Sequence, residues 1–302
     1  MVEDDLRFSV GVSTFNEERS IGRLMDFLLT QELEDVFVYN DGSTDHTGEI
    51  LRRFEDEPNV RVMHGEENHG ISYGISKVVE NTRNPILVML DADTMPREGA
   101  IQMLADCFKE PNVGGACGGH RMIHGDKWSI INCINERIYE AKKNIDAMQS
   151  LRDEYMHLNG LLIAFRKSIL PSKLTKHTSQ DAYLGWYIKS NGYRNVFVPE
   201  AWSTFHPPST VRDYIRGRKR VIRNRYFLSI EFRAPSYVWR DCSFSSYVFE
   251  LLAAIPLWSF RGFLSLLFGI AVDVYYRLYW FNAFRRGEEN NYRWEQVTST
   301  KW

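Results

Sequence analysis

Cysteine is scarce: Cys107, Cys117, Cys133 and Cys242 are the four in 302 residues, widely spaced and without a CxxC pair. That spacing argues against a disulfide framework and a cysteine zinc site, and it fits a reducing compartment. A dominant charge is missing too. With 37 Lys and Arg against 39 Asp and Glu, the formal net charge is -2, so affinity for a polyanion has to come from a local cluster. No internal repeat, low-complexity tract or flexible linker stands out. The acidic stretch Met1 to Arg7 lacks a basic start and an apolar core, so no cleaved signal is expected. What is present is ordinary for a globular chain: 44% hydrophobic and 25% charged residues, enough for one large core or two smaller ones.

Long apolar runs are absent until Tyr247 to Trp280, which is mostly apolar and aromatic but broken by Glu250, Pro256, Arg261, Asp273 and Arg277. Leu251 to Val272 is long enough to cross a hydrocarbon core. Arg261 near its centre costs roughly 2.5 to 3.5 kcal/mol there, so lying in the interface is the cheaper placement. The aromatic clusters around Trp258 and Phe260 and around Tyr275, Tyr276, Tyr279 and Trp280 suit a headgroup region. The alternative is a pair of soluble helices capping the core.

The first half alternates short apolar runs with helical patterns. Strands are predicted at Phe8 to Val12, Val36 to Tyr39, Val60 to Met63 and Ile86 to Leu90. Helices are predicted at Ser20 to Leu29, up to about Phe54 and over Ile71 to Val79. Such βα alternation predicts an α/β domain with a mostly parallel sheet and helices on both faces. Further on, Val113 to Gly119 reads as a strand with close backbone approach. A long helix from Trp128 carries Ile131, Ile134, Ile138, Ala141, Ile145 and Met148 on one packing face. Leu161 to Phe165 is a strand, Asp181 to Ile188 a helix entered through Ser179 as N-cap, and Asn195 to Val198 a last strand closed by Pro199.

In such sheets ligands collect at the carboxyl ends of the strands. Asn16 and Glu17 follow the first strand, Asp41 the second, and Asp91 with Asp93 the apolar one. Stability alone does not require carboxylates at three strand exits. Two carboxylates one residue apart at a buried strand end can share Mg2+ or Mn2+, ions that take hard oxygen ligands and accept phosphate oxygens as partners. A DxD pair alone is not specific.

The order of motifs is. Ser13-Thr14-Phe15-Asn16-Glu17, Tyr39-Asn40-Asp41-Gly42-Ser43-Thr44-Asp45, Asn68-His69-Gly70, Asp91-Ala92-Asp93, Asn159-Gly160 with Phe165-Arg166, Gln180-Asp181 and Pro199-Glu200-Ala201 span about two-thirds of the chain. In this order the sequence resembles the family 2 glycosyltransferases of GT-A fold. The resemblance implies an inverting, metal-dependent transfer of a sugar from a nucleotide diphosphate, with a UDP-sugar as the expected donor and GDP-mannose as the alternative. It implies that Thr14, Phe15, Glu17 and Asp41 hold the nucleotide, with Asp91 on the ribose or metal side and Asp93 as the main metal ligand. Asp181 matches the family's catalytic base, which takes the acceptor's proton.

Two departures stand out. Gln180 replaces the Glu that many members carry before the catalytic Asp. The QxxRW motif of processive members reads Gly217-Arg218-Lys219-Arg220-Val221 here, which argues against processive polymerisation. The same stretch forms a basic cluster. Helical spacing sets Arg216, Arg220 and Arg223 on one face for a diphosphate or lipid phosphate, while the remaining basic residues could face anionic headgroups. His206 is a further candidate for the metal shell.

The expected organisation is a GT-A domain over residues 1–235 and a membrane-associating segment over 236–302. The expected partners are a nucleotide-sugar donor, a lipid-linked or glycan acceptor and the cytoplasmic face of a membrane. The rival readings are a catalytically degenerate nucleotide-sugar-binding protein and a nucleic-acid binder. The latter is disfavoured because no RNA or DNA module pattern accompanies the charge.

Overall fold

The computed structural model describes residues 6–123, 129–154, 157–171, 174, 180–233 and 260–286. Four strands and three helices come first: β1 (Phe8–Thr14), α1 (Ile21–Leu29), β2 (Val36–Asn40), α2 (Thr47–Arg52), β3 (Val60–His64), α3 (Ile71–Asn81) and β4 (Ile86–Asp91). These match the predicted alternation to within a few residues at each end. The physical reason is visible in β2 and β4. Val36 and Val38 enter one core with Ile86, Val88 and Leu90, whereas Phe37 and Tyr39 enter another with Leu87 and Met89. Strands buried on both faces read as continuous apolar runs. Ile21, Leu24, Met25 and Leu28 of α1 cover the first face, and Ile75 and Val78 of α3 the second.

After β4 come β5 (Met95–Pro96), α4 (Ala100–Asp106), β6 (Val113–Met122), α5 (Ile130–Leu151), β7 (Leu162–Arg166), α6 (Gln180–Ser190), β8 (Arg194–Phe205) and α7 (Val211–Glu231). A last described helix, α8, runs from Phe260 to Arg285. The sheet has eight strands in the order β3-β2-β1-β4-β7-β6-β8-β5. The expectation of a mostly parallel sheet needs correcting. β1, β2, β3 and β4 are parallel, as are β6 and β8, but β7 is antiparallel to both its neighbours and β5 is antiparallel to β8. The reversal comes from the connections. β7 is reached through α5, which lies over β8 and β6, so the chain enters β7 from the opposite end of the sheet.

Two short elements, β5 and α4, were not foreseen. β8 also runs seven residues beyond the predicted stop at Val198 (Pro199 to Phe205). The pairing moves from Gly118 with Val198 to His120 with Ser203, so Pro199 to Trp202 bulge opposite Gly119 and the strand then resumes. A proline without an N–H is tolerated at such a bulge. The predicted close approach is here: a Cβ on Gly118 would sit 1.8 Å from the Ala201 carbonyl oxygen.

α5 buries Ile131, Ile134 and Ile145 as expected, but Met148 is 42% exposed, and the side chains of Ile138 and Ala141 lie outside the description. Its N-cap is Ser129, whose hydroxyl accepts from the Asn132 N–H at 3.0 Å, and Thr210 caps α7 in the same way through Asp213. The expected cap at Ser179, the boundary at 235, Cys242, and the Trp258 and Phe260 side chains lie outside the described residues. α8 packs on α7 and α5. Among the described residues no helix is long and apolar enough to cross a membrane.

Candidate active site

The loops leaving β1 and β2 are tied into one rim. Asn16 takes a φ of 55°, and its backbone N–H donates to Ser43 Oγ at 2.9 Å while its side-chain oxygen accepts from the Thr44 N–H at 2.8 Å. The Glu17 N–H donates to Thr47 Oγ1 at 2.8 Å. The polar residues of the two loops therefore satisfy each other's backbone at an exit where no strand can continue. Thr14, at the end of β1, is buried, and its Oγ1 has no hydrogen-bond partner among the described residues. Phe15 and Glu17 are half-buried beside it.

Asp41 is almost fully buried, and its carboxylate accepts the N–H of His69 at 3.1 Å and of Gly70 at 2.8 Å. It thus ties the start of α3 to the end of β2. Burial and the nearby Asp41 carboxylate push the Tyr39 hydroxyl up to about 12. The His69 ring stacks on Tyr73 at 4.4 Å, so an aromatic step flanks Asp41.

Asp91 ends β4 in register with Ser13 of β1. Its carboxyl titrates well above the ordinary range, first because it is buried and then because the carboxylates of Asp93, Asp181 and Glu17 surround it; Arg220 acts in the opposite direction. Acids from β1's exit, β4's exit and the first turn of α6 are therefore near enough to act on one carboxyl, and a guanidinium from α7 acts on it as well. Asp181 lies against the Asn159-Gly160 loop. A Cβ on Gly160 would come within 3.1 Å of its Oδ2, so a larger residue there would press the carboxyl aside by a few tenths of an ångström. Gln180 is buried and donates through Nε2 to Ser72 Oγ on α3 at 2.6 Å, which fastens the start of α6 to the neighbouring helix.

The three arginines expected on one face do not act together. Arg220 reaches the acidic cluster. Arg216 lies 3.8 Å from Asp213, one turn earlier, and Arg223 sits over the Trp280 ring of α8 at 5.8 Å. Arg218, expected at headgroups, instead forms a two-pronged pair with Asp273 of α8 at 2.7 and 2.6 Å. The spacing was legible, but the packing partner α8 was not, and it claims the residues that a lone helix would show to solvent. Ser72 also escaped the sequence reading, because a serine in a first helical turn carries no signal of its own.

A divalent cation fits the acidic residues by their chemistry. Asp91 and Asp93 offer hard oxygen ligands in a cluster whose mutual repulsion, visible in the raised Asp91 carboxyl, a cation would offset. Among the described residues no group of three His, Cys, Asp or Glu side chains is arranged to hold a metal ion. Phosphate oxygens and water would have to complete the coordination. Met95 pairs with Thr204 and Pro96 with Ser203, so β8 ends, one residue before His206, near the turn that carries Asp93.

Residues 9–172 match the model of glycosyl transferase family 2. A poly-beta-1,6-N-acetyl-D-glucosamine synthase from Staphylococcus epidermidis is 24% identical over 251 residues, covering 81% of this chain and 60% of that protein. The same-named protein of Staphylococcus aureus is 24% identical over 216 residues, covering 69% and 52%. The chain thus spans a little over half the length of these curated relatives. Among solved structures, a mannosyltransferase from Pyrobaculum calidifontis in complex with GDP-Man and Mn2+ superposes with a TM-score of 0.61 at 19% identity, covering 91% of this chain and 83% of that one. Residues 1–349 of Staphylococcus aureus TarS in complex with UDP-GlcNAc give a TM-score of 0.51 at 16% identity, covering 96% and 94%. These likenesses establish a GT-A-like α/β fold, and with the family model matching more than half of its residues, the chain belongs to glycosyl transferase family 2.

Proposed function

We propose that the protein is an inverting glycosyltransferase that moves a sugar from a nucleotide diphosphate to a lipid-linked or glycan acceptor at a membrane surface. One observation carries this reading: the charges of Asp93, Asp181 and Glu17 all act on Asp91 at the carboxyl edge of the sheet, although Glu17 and Asp181 lie far from it in sequence. A packed core has no use for such repulsion, whereas a cationic phosphate site does. In this reading Thr14, Phe15, Glu17 and Asp41 hold the nucleoside, with the unpartnered Thr14 hydroxyl and the His69-Tyr73 step near it. Asp93, with Asp91, would hold Mg2+ or Mn2+. A bound cation would neutralise charge developing on the departing diphosphate.

Asp181 takes the proton of the acceptor hydroxyl while that oxygen attacks the anomeric carbon from the face opposite the diphosphate, which inverts the configuration. Arg220 is placed to meet phosphate charge. Arg216 and Arg223 are weaker candidates, since each already faces a partner. The relatives' names make UDP-N-acetylglucosamine the first donor to try and GDP-mannose the second. In this reading residues 1–235 form the catalytic domain and 236–302 the membrane-facing segment, at the cytoplasmic face. Support for the membrane comes from α8, whose outer side exposes Phe263, Leu264, Leu267, Tyr275, Leu278 and Phe281.

The test incubates purified protein and membranes with labelled nucleotide sugars, with and without Mn2+. Wild type should transfer label, and Asp181→Asn should lose on the order of 10²-fold to 10⁴-fold in kcat while still binding donor. Equal incorporation by both proteins would remove Asp181 from the mechanism. Donor binding measured by calorimetry should collapse with chelator or in Asp93→Ala, and unchanged binding in both would refute the metal site. A protein that binds donor but transfers nothing in any arm is the degenerate binder.

A further inference from the structure

α5 carries a second stripe that its packing face does not explain. Asn135, Tyr139, Lys142 and Asp146 recur at steps of four, three and four, which places them on one side of the helix. Asn135 and Asp146 are buried. Buried polar groups cost free energy unless they are paired, and Asn135, Tyr139 and Asp146 of this stripe each meet a segment that adjoins the candidate site. Asn135 donates through Nδ2 to the Pro208 carbonyl at 3.1 Å, two residues past His206. The Tyr139 ring packs against Phe205 at 5.2 Å, one residue before His206. Asp146 pairs with Lys142, one turn earlier on α5, and its Oδ2 accepts from Asn159 Nδ2 at 3.0 Å. Asn159 is the residue before Gly160, whose backbone lies against the Asp181 carboxyl.

We propose that Asp146, paired with Lys142, is a positioning residue: through Asn159 it holds the Asn159-Gly160 loop beside Asp181 and so sets the direction of that carboxyl. The buried Asp146–Asn159 bond ties α5 to this loop through a side chain that can be removed without touching Asp181. The effect on rate rests on Asp181 acting as the base, whereas the effect on the loop does not.

The experiment compares wild type with Asp146→Ala, Asp146→Asn and Asn159→Ala in the full chain, using hydrogen exchange of the peptide covering 157–166 and steady-state transfer. In Asp146→Ala that peptide should exchange about tenfold faster while peptides from β1 and β4 stay protected. Transfer kcat should fall roughly tenfold with donor KM within about twofold, since the donor site is untouched. Asp146→Asn keeps an acceptor oxygen and should recover most of the rate. Combining Asp146→Ala with Asn159→Ala should be no slower than the slower single variant, because both remove one bond. Unchanged exchange at 157–166, a loss confined to KM, or losses that multiply in the double variant would overturn the proposal. If wild type transfers no sugar, the functional reading fails while the exchange comparison still decides this one. If Asp146→Ala does not fold, Asn159→Ala and Lys142→Met carry the same comparison.

Discussion

Asp35 lies outside the candidate site, yet it is the acid on which the start of the sheet depends. Burial pushes its carboxyl up, but the Ser9 hydroxyl at 2.6 Å, the Arg83 N–H at 2.9 Å and the Arg61 guanidinium at 2.7 Å together win and hold it below the ordinary range. A carboxylate with a depressed folded-state pKa contributes stability above its unfolded value of about 3.9, and that contribution is lost as pH falls through the lower folded value. Urea titrations between pH 7 and pH 3 should therefore show a fall in stability below about pH 4 that Asp35→Asn lacks. At pH 7 Asp35→Ala should cost about 3 kcal/mol, since it strands three donors. Asp41 offers a parallel case inside the site. Asp41→Ala deprives the His69 and Gly70 amides of their acceptor, and nucleotide binding by calorimetry should weaken by on the order of tenfold to a hundredfold, about 1.4 to 3 kcal/mol.

At the scale of elements, the contact between α7 and α8 is built around charge. The Asp273 side chain is only 16% exposed, and Arg218, then Arg277, outweigh its desolvation and keep its carboxyl below the ordinary range. Arg277 is 1% exposed, and its carbonyl accepts the Tyr226 hydroxyl at 2.8 Å. Breaking a buried pair from one side leaves the partner charge stranded, which costs about 3 to 5 kcal/mol. Asp273→Ala should accordingly release α8 from the body, seen as new proteolysis near residues 260–286 with the β1 to β4 half still protected. Pairing Asp273→Leu with Arg218→Met should restore much of that stability, because no lone charge remains. Intact α8 after Asp273→Ala would mean that the surrounding Ile134, Tyr214 and Val272 contacts suffice.

For the whole molecule, the question is how the catalytic edge faces its acceptor. α8 turns Val272 and Arg277 inward and leaves Leu264, Leu267, Tyr275 and Leu278 outward, at steps of three, eight and three that mark one face. If that face meets a bilayer, flotation with anionic vesicles should carry the wild-type protein upward. Combining Leu267→Asp with Leu278→Asp should abolish it, since each buried leucine is worth about 1.5 to 3 kcal/mol. Transfer to a soluble acceptor should survive the same substitutions. Equal flotation of both proteins would remove α8 from membrane binding.

The sequence by itself determined the first four strands, most clearly β2 and β4, which are buried on both faces and apolar up to their last residue, and it placed Thr14, Asp41, Asp91 and Asp181 in order along the chain. Motif order also carried the family, which the matched residues 9–172 bear out. Only the tertiary structure decided the direction of β7, the bulge that carries β8 past Pro199, and the fate of each arginine on α7. The reason is physical. Side-chain periodicity reports what a segment buries, whereas strand direction and the pairing of long charged side chains depend on which distant segment arrives beside them. Arg218 and Arg220 are two residues apart on one helix; one meets Asp273 and the other the acids around Asp91 because α8 packs on one side of α7 and the sheet edge lies on the other.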